Sequence, residues 1–500
     1  MSTLPLPTPN CDKPHQSSLW SHFPLKSICN RRGYHWYVVG TVCIGAFMAA
    51  LDASIINIAL PTFQAQFHMS INSVEWISLV YLLTLAALIV TFGRLADLFG
   101  RRWMYSIGFL IFIIGSTFCG TASSVPLLLI SRVVQAIGAA MLQANSVAII
   151  TAATPSKDRG KAIGLQASAQ GIGLSLGPAI GGALIHFLSW RWLFFVNIPV
   201  GIIGTTLGVL FLPKDSKNPN KEGFDYLGTI ILAPTLVALI YLLNMGLKQG
   251  WTSPVVMMSY TITIVGMVAF IWIERNMKFP MVDLSLFKNP TFTLGNVTGI
   301  LSFAVMYAVL LLVPFYLAGV QKINPLQSGL FLSIIPIGMT IFTPISGAIA
   351  DRFGTRIPTI IGMSAAACGS IMLSFVGGNW TYLYLILGLF LVGSGLGIFT
   401  PPNNSSVMGS TPSHRLGVAG GILNMSRTLG MGFGITFGGL SYQLFISYEG
   451  VLSEHMASSL QMLFAFRMSF VVIAAVAGIA CILSAVRQNK KKKMIIPSID

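Results

Sequence analysis

Charge is what this sequence has least of. Only 9% of its 500 residues are Asp, Glu, Lys or Arg, against about 25% in a soluble domain, and mean hydropathy is +0.77. That excludes a soluble globular protein. Acids are the rarer sign, 14 against 30 Lys and Arg. Cysteine is sparse as well: Cys11, Cys29, Cys43, Cys119, Cys368 and Cys481 have neither metal-ligand nor disulfide spacing, so they read as free thiols. No HExxH, nucleophile elbow or P-loop is present, so no enzyme is expected, no metal, and no cofactor beyond a proton as coupling ion. The first 33 residues lack an apolar core and read as a polar cytoplasmic tail (1–35) without a cleavable signal peptide.

Apolar runs are abundant. Stretches of about 18 or more residues, enough to cross roughly 30 Å of hydrocarbon as a helix, recur along the chain without period-two alternation. Backbone groups in lipid must be paired internally, so an all-α polytopic membrane protein is expected. Fourteen spans are counted, near 36–60, 74–93, 103–122, 125–152, 162–187, 192–212, 226–246, 255–273, 292–318, 327–348, 357–376, 380–400, 417–444 and 467–486. With both termini on one side, that side carries 24 of the 30 Lys and Arg. Arg191, Lys248, Lys322 and Arg467 lie opposite, and Arg132 and Arg427 lie within spans. The positive-inside rule then places both termini in the cytoplasm of a plasma (inner) membrane. The net charge of +16 is therefore a topology signal, not a nucleic-acid surface, and the basic tail 488–500 with its "NKKKKM" is expected to grip an anionic leaflet.

The chain also repeats itself. Residues 138–182 align without a gap on 395–439, with eleven of 45 positions identical, mostly glycine. A second match places "GRLADLFGRR" (93–102) on "GAIADRFGTR" (347–356). Two related six-helix bundles, 36–212 and 291–487, are expected to run parallel, separated by a linker (213–290) holding two extra helices. Parallel repeats with a site near the midplane at their interface are a transporter architecture.

Six stretches then stand in order: "LDASIINIALP", "WISLVYLL", "GRLADLFGRR", "RVVQAIGAA", "GLSLGPAIGG" and "WRWLFFVNIPVG". With these motifs the chain resembles the fourteen-helix drug:proton antiporter branch of the major facilitator superfamily, the EmrB- and QacA-like exporters. The resemblance covers about 36–487. It departs at Ser54, where Thr is usual, at Ala136, where Gly usually follows Gln, and at Thr355 in the second loop copy. It implies small-molecule substrates, a lipid bilayer as surroundings, and in two-membrane bacteria a periplasmic adaptor protein.

In the loop copies, Gly93, Gly100, Gly347 and Gly354 permit tight turns and close helix approach. Asp97 among Arg94, Arg101 and Arg102, and Asp351 beside Arg356, suit a cytoplasmic latch to Arg or a helix terminus of a neighbouring bundle. The alternative is ordinary positive-inside charge. Gly173, Gly177 and Gly181 lie four apart on one helix face, which lets backbones approach closely, with Gly182 beside them and Pro178 bending the helix. The resemblance makes this the antiporter signature of helix 5.

Asp52 and Arg132 are expected at matching depth, each roughly 10–12 Å below one membrane surface at about 1.5 Å per residue. Ionisable residues there are functional by default; the plainer reading is a pin between two helices. Asp52 alone among the acids is read as deep in a span, with Glu75 at the outer surface, so Asp52 is the expected proton carrier. Burial favours its neutral form and a nearby guanidinium its charged form. Asn57, Tyr81, Gln135 and Asn145 offer polar groups. Tyr307, Phe315, Tyr316 and Phe399 offer aromatic surface, though such residues are common in any membrane helix. Arg427 is expected either to sense the cytoplasmic gate or to reach headgroups. An apolar cavity with one acid suits hydrophobic and cationic compounds, hence proton-driven multidrug efflux. The alternatives are export of one endogenous amphiphile (lipid, siderophore or metabolite) or a non-transporting sensor.

Overall fold

The computed structural model describes residues 33–155, 158–213, 226–277, 280, 282–377, 381–412, 415–449 and 457–486. The expectations for both tails, including Cys11, Cys29 and the basic run, lie outside them. Eighteen α-helices carry the fold: α1 Tyr34–Ile55, α2 Leu60–Phe67, α3 Ile71–Val74, α4 Trp76–Phe99, α5 Arg101–Thr121, α6 Val125–Ala153, α7 Arg159–Phe187, α8 Trp192–Phe195, α9 Asn197–Phe211, α10 Tyr226–Gln249, α11 Pro254–Asn276, α12 Pro290–Gly319, α13 Pro325–Leu332, α14 Ile334–Phe353, α15 Arg356–Leu373, α16 Thr381–Gly409, α17 Leu416–Tyr448 and α18 Ser459–Val486. Thirteen continuous or nearly continuous helical stretches among the described residues are long and apolar enough to cross a membrane, and Ile230–Gly246 within α10 is a shorter apolar stretch.

Local chemistry sets several helix starts. Asn289 accepts from the Thr291 amide (3.0 Å) ahead of Pro290, and Asn324 from the Gln327 amide (2.9 Å) ahead of Pro325. Asn caps followed by Pro satisfy orphan amides and preset the first φ. α16 continues through Pro401 and Pro402. Pro401 cannot bond the Gly397 carbonyl, and Ser346 Oγ from α14 donates to that carbonyl instead, at 3.1 Å.

The helices form a paired set of contacts. α1 packs on α6, α7 and α9, α5 on α6 and α9, and α4 on α6. Correspondingly α12 packs on α16, α17 and α18, α15 on α16 and α18, and α14 on α16. α10 touches both α4 and α17, whereas the main contact of α11 is α10. Tyr34 at the start of α1 donates to the Phe211 carbonyl at the end of α9. Gly421 near the start of α17 lies beside Val90 near the end of α4, and Arg356 reaches the Ala485 carbonyl at the end of α18. The chain therefore enters α1 and leaves α18 at one end of the bundle, the near face. The opposite end is the far face.

Glycines decide how closely the helices approach. Gly173, Gly177 and Gly181 of α7 lie against α1, where a Cβ would collide with the Phe47 carbonyl, Ser54 and Ile58 respectively. Gly182 and Pro178 face α13 instead: a Cβ on Gly182 would strike the Pro325 carbonyl, and one on Gly329 the Pro178 carbonyl. Gly100 (φ 105°) and Gly354 (φ 82°) make the tight turns between α4 and α5 and between α14 and α15, a backbone region L side chains rarely occupy. Gly93 and Gly347 differ from the expectation of close approach. A Cβ on Gly93 would meet only Ala144 at 4.0 Å, and one on Gly347 nothing within 4 Å.

Gly177→Val should push α7 off α1, since overpacking a tight contact costs about 1–3 kcal/mol. Gly164→Ala, which meets nothing within 4 Å, should leave stability unchanged. Thermal unfolding of the purified variants in detergent distinguishes them; equal melting temperatures would refute the contact.

Candidate functional site

The centre of the first set of helices is polar. α1 brings Asp52, α6 Arg132 and Gln135, α5 Ser116, and α9 Asn197 into one cluster. Arg132 Nη1 donates to Asp52 Oδ2 at 2.6 Å, with the two side chains 1% and 0% exposed. The other carboxylate oxygen accepts from Gln135 Nε2 at 2.7 Å and from Asn197 Nδ2 at 3.1 Å. Gln135 Nε2 also donates to Ser116 Oγ (2.8 Å), while its Oε1 accepts from Arg132 Nη1 (2.6 Å) and faces Cys119 Sγ (3.8 Å). Arg132 Nε donates to the Ile77 carbonyl of α4 at 3.1 Å. Its guanidinium lies 4.2 Å from the centre of the Tyr81 ring and 5.9 Å from that of Phe194.

A carboxylate without water needs both an opposite charge and donors to its remaining lone pairs. Asp52 has both, from three side chains on two helices. Both carboxylate oxygens thus accept at least one hydrogen bond in this conformation.

The other expected residues divide. Tyr81 joins the cluster through its ring, and its hydroxyl donates to the Ala49 carbonyl at 3.3 Å. Asn57 Oδ1 accepts from Ser78 at 3.3 Å, and its Nδ2 has no partner. Asn145 stands apart, since its amide donates to Met141 four residues back (2.8 Å). Tyr307, fully buried on α12, has a hydroxyl without a hydrogen-bond partner, and lies within electrostatic reach of Tyr81 and of Arg427. Ser116 and Asn197 went unread in the sequence. "FVNIP" carried Asn197 within a quoted motif, but nothing in one sequence singles out Ser116.

The loop arginines act locally where their contacts are described. Arg102 donates to the Val209 carbonyl at 2.8 Å, and Arg356 to the Ala485 carbonyl. Each thus bonds a carbonyl in the last turn of a helix, where unpaired acceptors and the negative end of the dipole favour a cation. The side chains of Asp97 and Asp351, central to the expected latch, lie outside the described residues.

Glu75 corrects the sequence expectation. It is 0% exposed, not open at the surface, because α10 and α17 cover it. Its Oε2 accepts from Asn244 Nδ2 of α10 at 2.8 Å, and Gly439 of α17 leaves the room that its carboxylate fills. Asn244 Oδ1 accepts from Trp76 Nε1 at 3.1 Å. Asn72 donates to the Asn244 carbonyl (3.2 Å) and to Gln443 of α17. A polar knot therefore ties α3, α4, α10 and α17 at the far face.

Three cavities lie nearby. A cleft of about 500 Å³ runs between Ile58, Pro61 and Gln66 on one side and Pro314, Pro325 and Ser328 on the other. A second, of about 520 Å³, lies along Leu330, Phe331, Ile334 and Tyr382. A third, about 40 Å³, lies among α12, α16 and α17 and is lined by Phe303, Phe399, Asn404, Asn424 and Arg427 among others.

With the geometry in place, comparisons locate the chain among known proteins. The family model described as Major Facilitator Superfamily matches residues 42–435. Riboflavin transporter RibZ of Clostridioides difficile is 32% identical over 463 residues, covering 92% of this chain and 99% of that protein. Multidrug resistance protein Stp of Mycobacterium tuberculosis is 34% identical over 392 residues, covering 78% and 73% respectively. Among solved structures, a bacterial homologue of the human lysosomal transporter Spinster, inward-facing and unoccupied, shares the fold with a TM-score of 0.65 at 16% identity, over 92% of this chain and 98% of that one.

Removing one partner of a buried ion pair costs about 3–5 kcal/mol because the other charge is orphaned. Arg132→Ala should therefore lower the yield of monodisperse protein sharply, and adding Asp52→Asn should restore it. Size-exclusion profiles of the single and double variants test this; equal loss in both would refute the pairing.

Proposed function

The chain belongs to the Major Facilitator Superfamily, and from that premise we propose that it is a proton-driven antiporter that exports hydrophobic small molecules, as in multidrug efflux. The carrying observation is the fully buried Asp52–Arg132 pair. Asp52 takes a proton on one side of the membrane and gives it up on the other. Protonation removes the charge that pairs with Arg132 and adds an O–H donor to a site already filled by donors from Arg132, Gln135 and Asn197, which weakens those bonds. Asp52 sits on α1, another face of which packs on the glycines of α7, and α7 in turn touches α13. A charge change at Asp52 is therefore one helix away from the far-face contact between the two sets of helices. An inward proton contributes about 2.3 kcal/mol per 100 mV, against about 1.4 kcal/mol per tenfold gradient of a neutral solute.

The same proposal includes the finer architecture. Residues 36–212 and 291–487 form two duplicated six-helix bundles, with α10 and α11 inserted between them (213–290) in a plasma membrane, both termini cytoplasmic. What supports this is the matching pairs of helix contacts in the two sets and the excess of Lys and Arg at the near face. The shared near-face position of the first and last helices requires an even number of crossings, which α10 brings to fourteen. Tight α7–α13 contact at the far face fits an inward-facing state. A periplasmic adaptor, implied only by resemblance, stays part of the proposal, as does the absence of any cofactor other than the proton.

A second reading is favoured by one finding. The match to a riboflavin transporter extends over 99% of that protein, whereas Stp is covered over 73%. Dedicated transport of one planar nutrient or metabolite is accordingly the alternative substrate class.

Inverted membrane vesicles separate these readings. Wild-type protein should accumulate several dyes only when a pH gradient is imposed, and Asp52→Asn, whose amide oxygen still accepts from Arg132, should reach the membrane at reduced level but lose the gradient dependence per molecule. Full pH-gradient-driven uptake by Asp52→Asn would sink proton coupling at this residue, and uptake of riboflavin alone across the panel would favour the dedicated transporter.

A further inference from the structure

Arg427 carries a charge that the Asp52 cluster does not use. It lies eleven residues into α17, about 16 Å from the helix start at ~1.5 Å per residue. Its guanidinium stacks 5.4 Å from the centre of the Phe303 ring and lines the small cavity among α12, α16 and α17. No carboxylate or carbonyl is recorded against it among the described residues. The sequence explains why no acid pairs with it locally: α12 to α18 contain no Asp or Glu within their lengths other than Asp351, at the near-face end of α14. Asp52 is held by Arg132, and Glu75 lies in the far-face knot.

The walls around this guanidinium are built. Asn296 accepts from Ser426 at 3.1 Å and donates to the Phe292 carbonyl at 2.9 Å. Asn403 donates to the Gly295 carbonyl at 2.9 Å. Those two amides tie α12, α16 and α17 together. Asn404 and Asn424 line the same cavity, and Phe303 and Phe399 give it aromatic surface. Tyr307, with its buried unpartnered hydroxyl, lies within electrostatic reach of both Arg427 and Tyr81.

We infer that this cavity is the recognition site for an aromatic organic anion, its carboxylate or similar two-oxygen edge held by the Arg427 fork and its ring set against Phe303 and Phe399. A guanidinium presents paired donors that match a carboxylate bidentately, and the neighbouring rings offer stacking area. An organic cation brings like charge to an already uncompensated guanidinium and is disfavoured. At about 40 Å³ the site is contracted in this conformation, so binding must part α12, α16 and α17. The inference deepens the transporter reading and rests on it: Tyr81, over which Arg132 sits, and Tyr307 would connect an occupied anion site to the proton site.

The test is equilibrium binding to full-length protein in detergent at one pH, without any gradient, using fluorescein as planar anion and ethidium as planar cation. Wild type should bind fluorescein at least about tenfold more tightly than ethidium, a difference of ~1.4 kcal/mol. Arg427→Gln should lose that preference with an unchanged melting temperature, because no protein acceptor is orphaned. Arg427→Lys should retain charge selectivity at reduced affinity. Ethidium bound as tightly as fluorescein by wild type, no fluorescein binding, or unchanged fluorescein affinity in Arg427→Gln would each overturn the inference. Gradient-driven uptake of fluorescein into vesicles, with Asp52→Asn alongside, then reports on proton exchange separately, since binding is read without it.

Discussion

A carboxylate and a guanidinium 2.6 Å apart, both sealed from solvent, constrain the helices around them more than any apolar contact does. Apolar packing tolerates sliding; a buried ion pair tolerates little, because loss of geometry exposes uncompensated charge to low dielectric. Gln135, Asn197, Ser116 and the Ile77 carbonyl complete the set. Five helices (α1, α4, α5, α6 and α9) are thereby held in register around one buried carboxylate.

The glycine faces of α7 set how closely it packs. With no side chain of its own at Gly173, Gly177 and Gly181, α7 lies tight against the Phe47 carbonyl, Ser54 and Ile58, and Gly182 and Pro178 extend the same closeness to α13. Helices in lipid gain little from hydrophobic association, so small residues that admit van der Waals contact determine which helices pair.

The second set of helices is chemically different despite its matching contacts. It has no counterpart of the Asp52–Arg132 pair: the position aligned with Arg132 is Leu389. It carries an arginine without an acid, asparagine walls and aromatic surface. The two sets therefore differ in where their buried charge sits and in what surrounds it. At the far face α10 supplies Asn244 to Glu75, so α10 is bonded to α4 instead of merely lying beside it.

Much of this was written in the sequence. Hydropathy gave the helical class, because satisfaction of the backbone in hydrocarbon leaves few options, and fourteen expected spans stand against thirteen long enough to cross and one shorter stretch in α10 among the described residues. Spacing placed Asp52 and Arg132 at equal depth, since helical rise is constant. The four-residue glycine period marked the close face of α7. Tertiary structure alone decided that Asp52 is enclosed by Gln135 and Asn197, because which helices become neighbours is not a local property. It alone buried Glu75, whose cover comes from α10 and α17, far away in the chain. It also separated Asn145, content with its own helix, from Gln135 ten residues earlier, and turned Arg427 inward onto Phe303. A sequence fixes depth and period along each helix; rotation about the helix axis, and so what each side chain meets, is fixed by the partners it packs against.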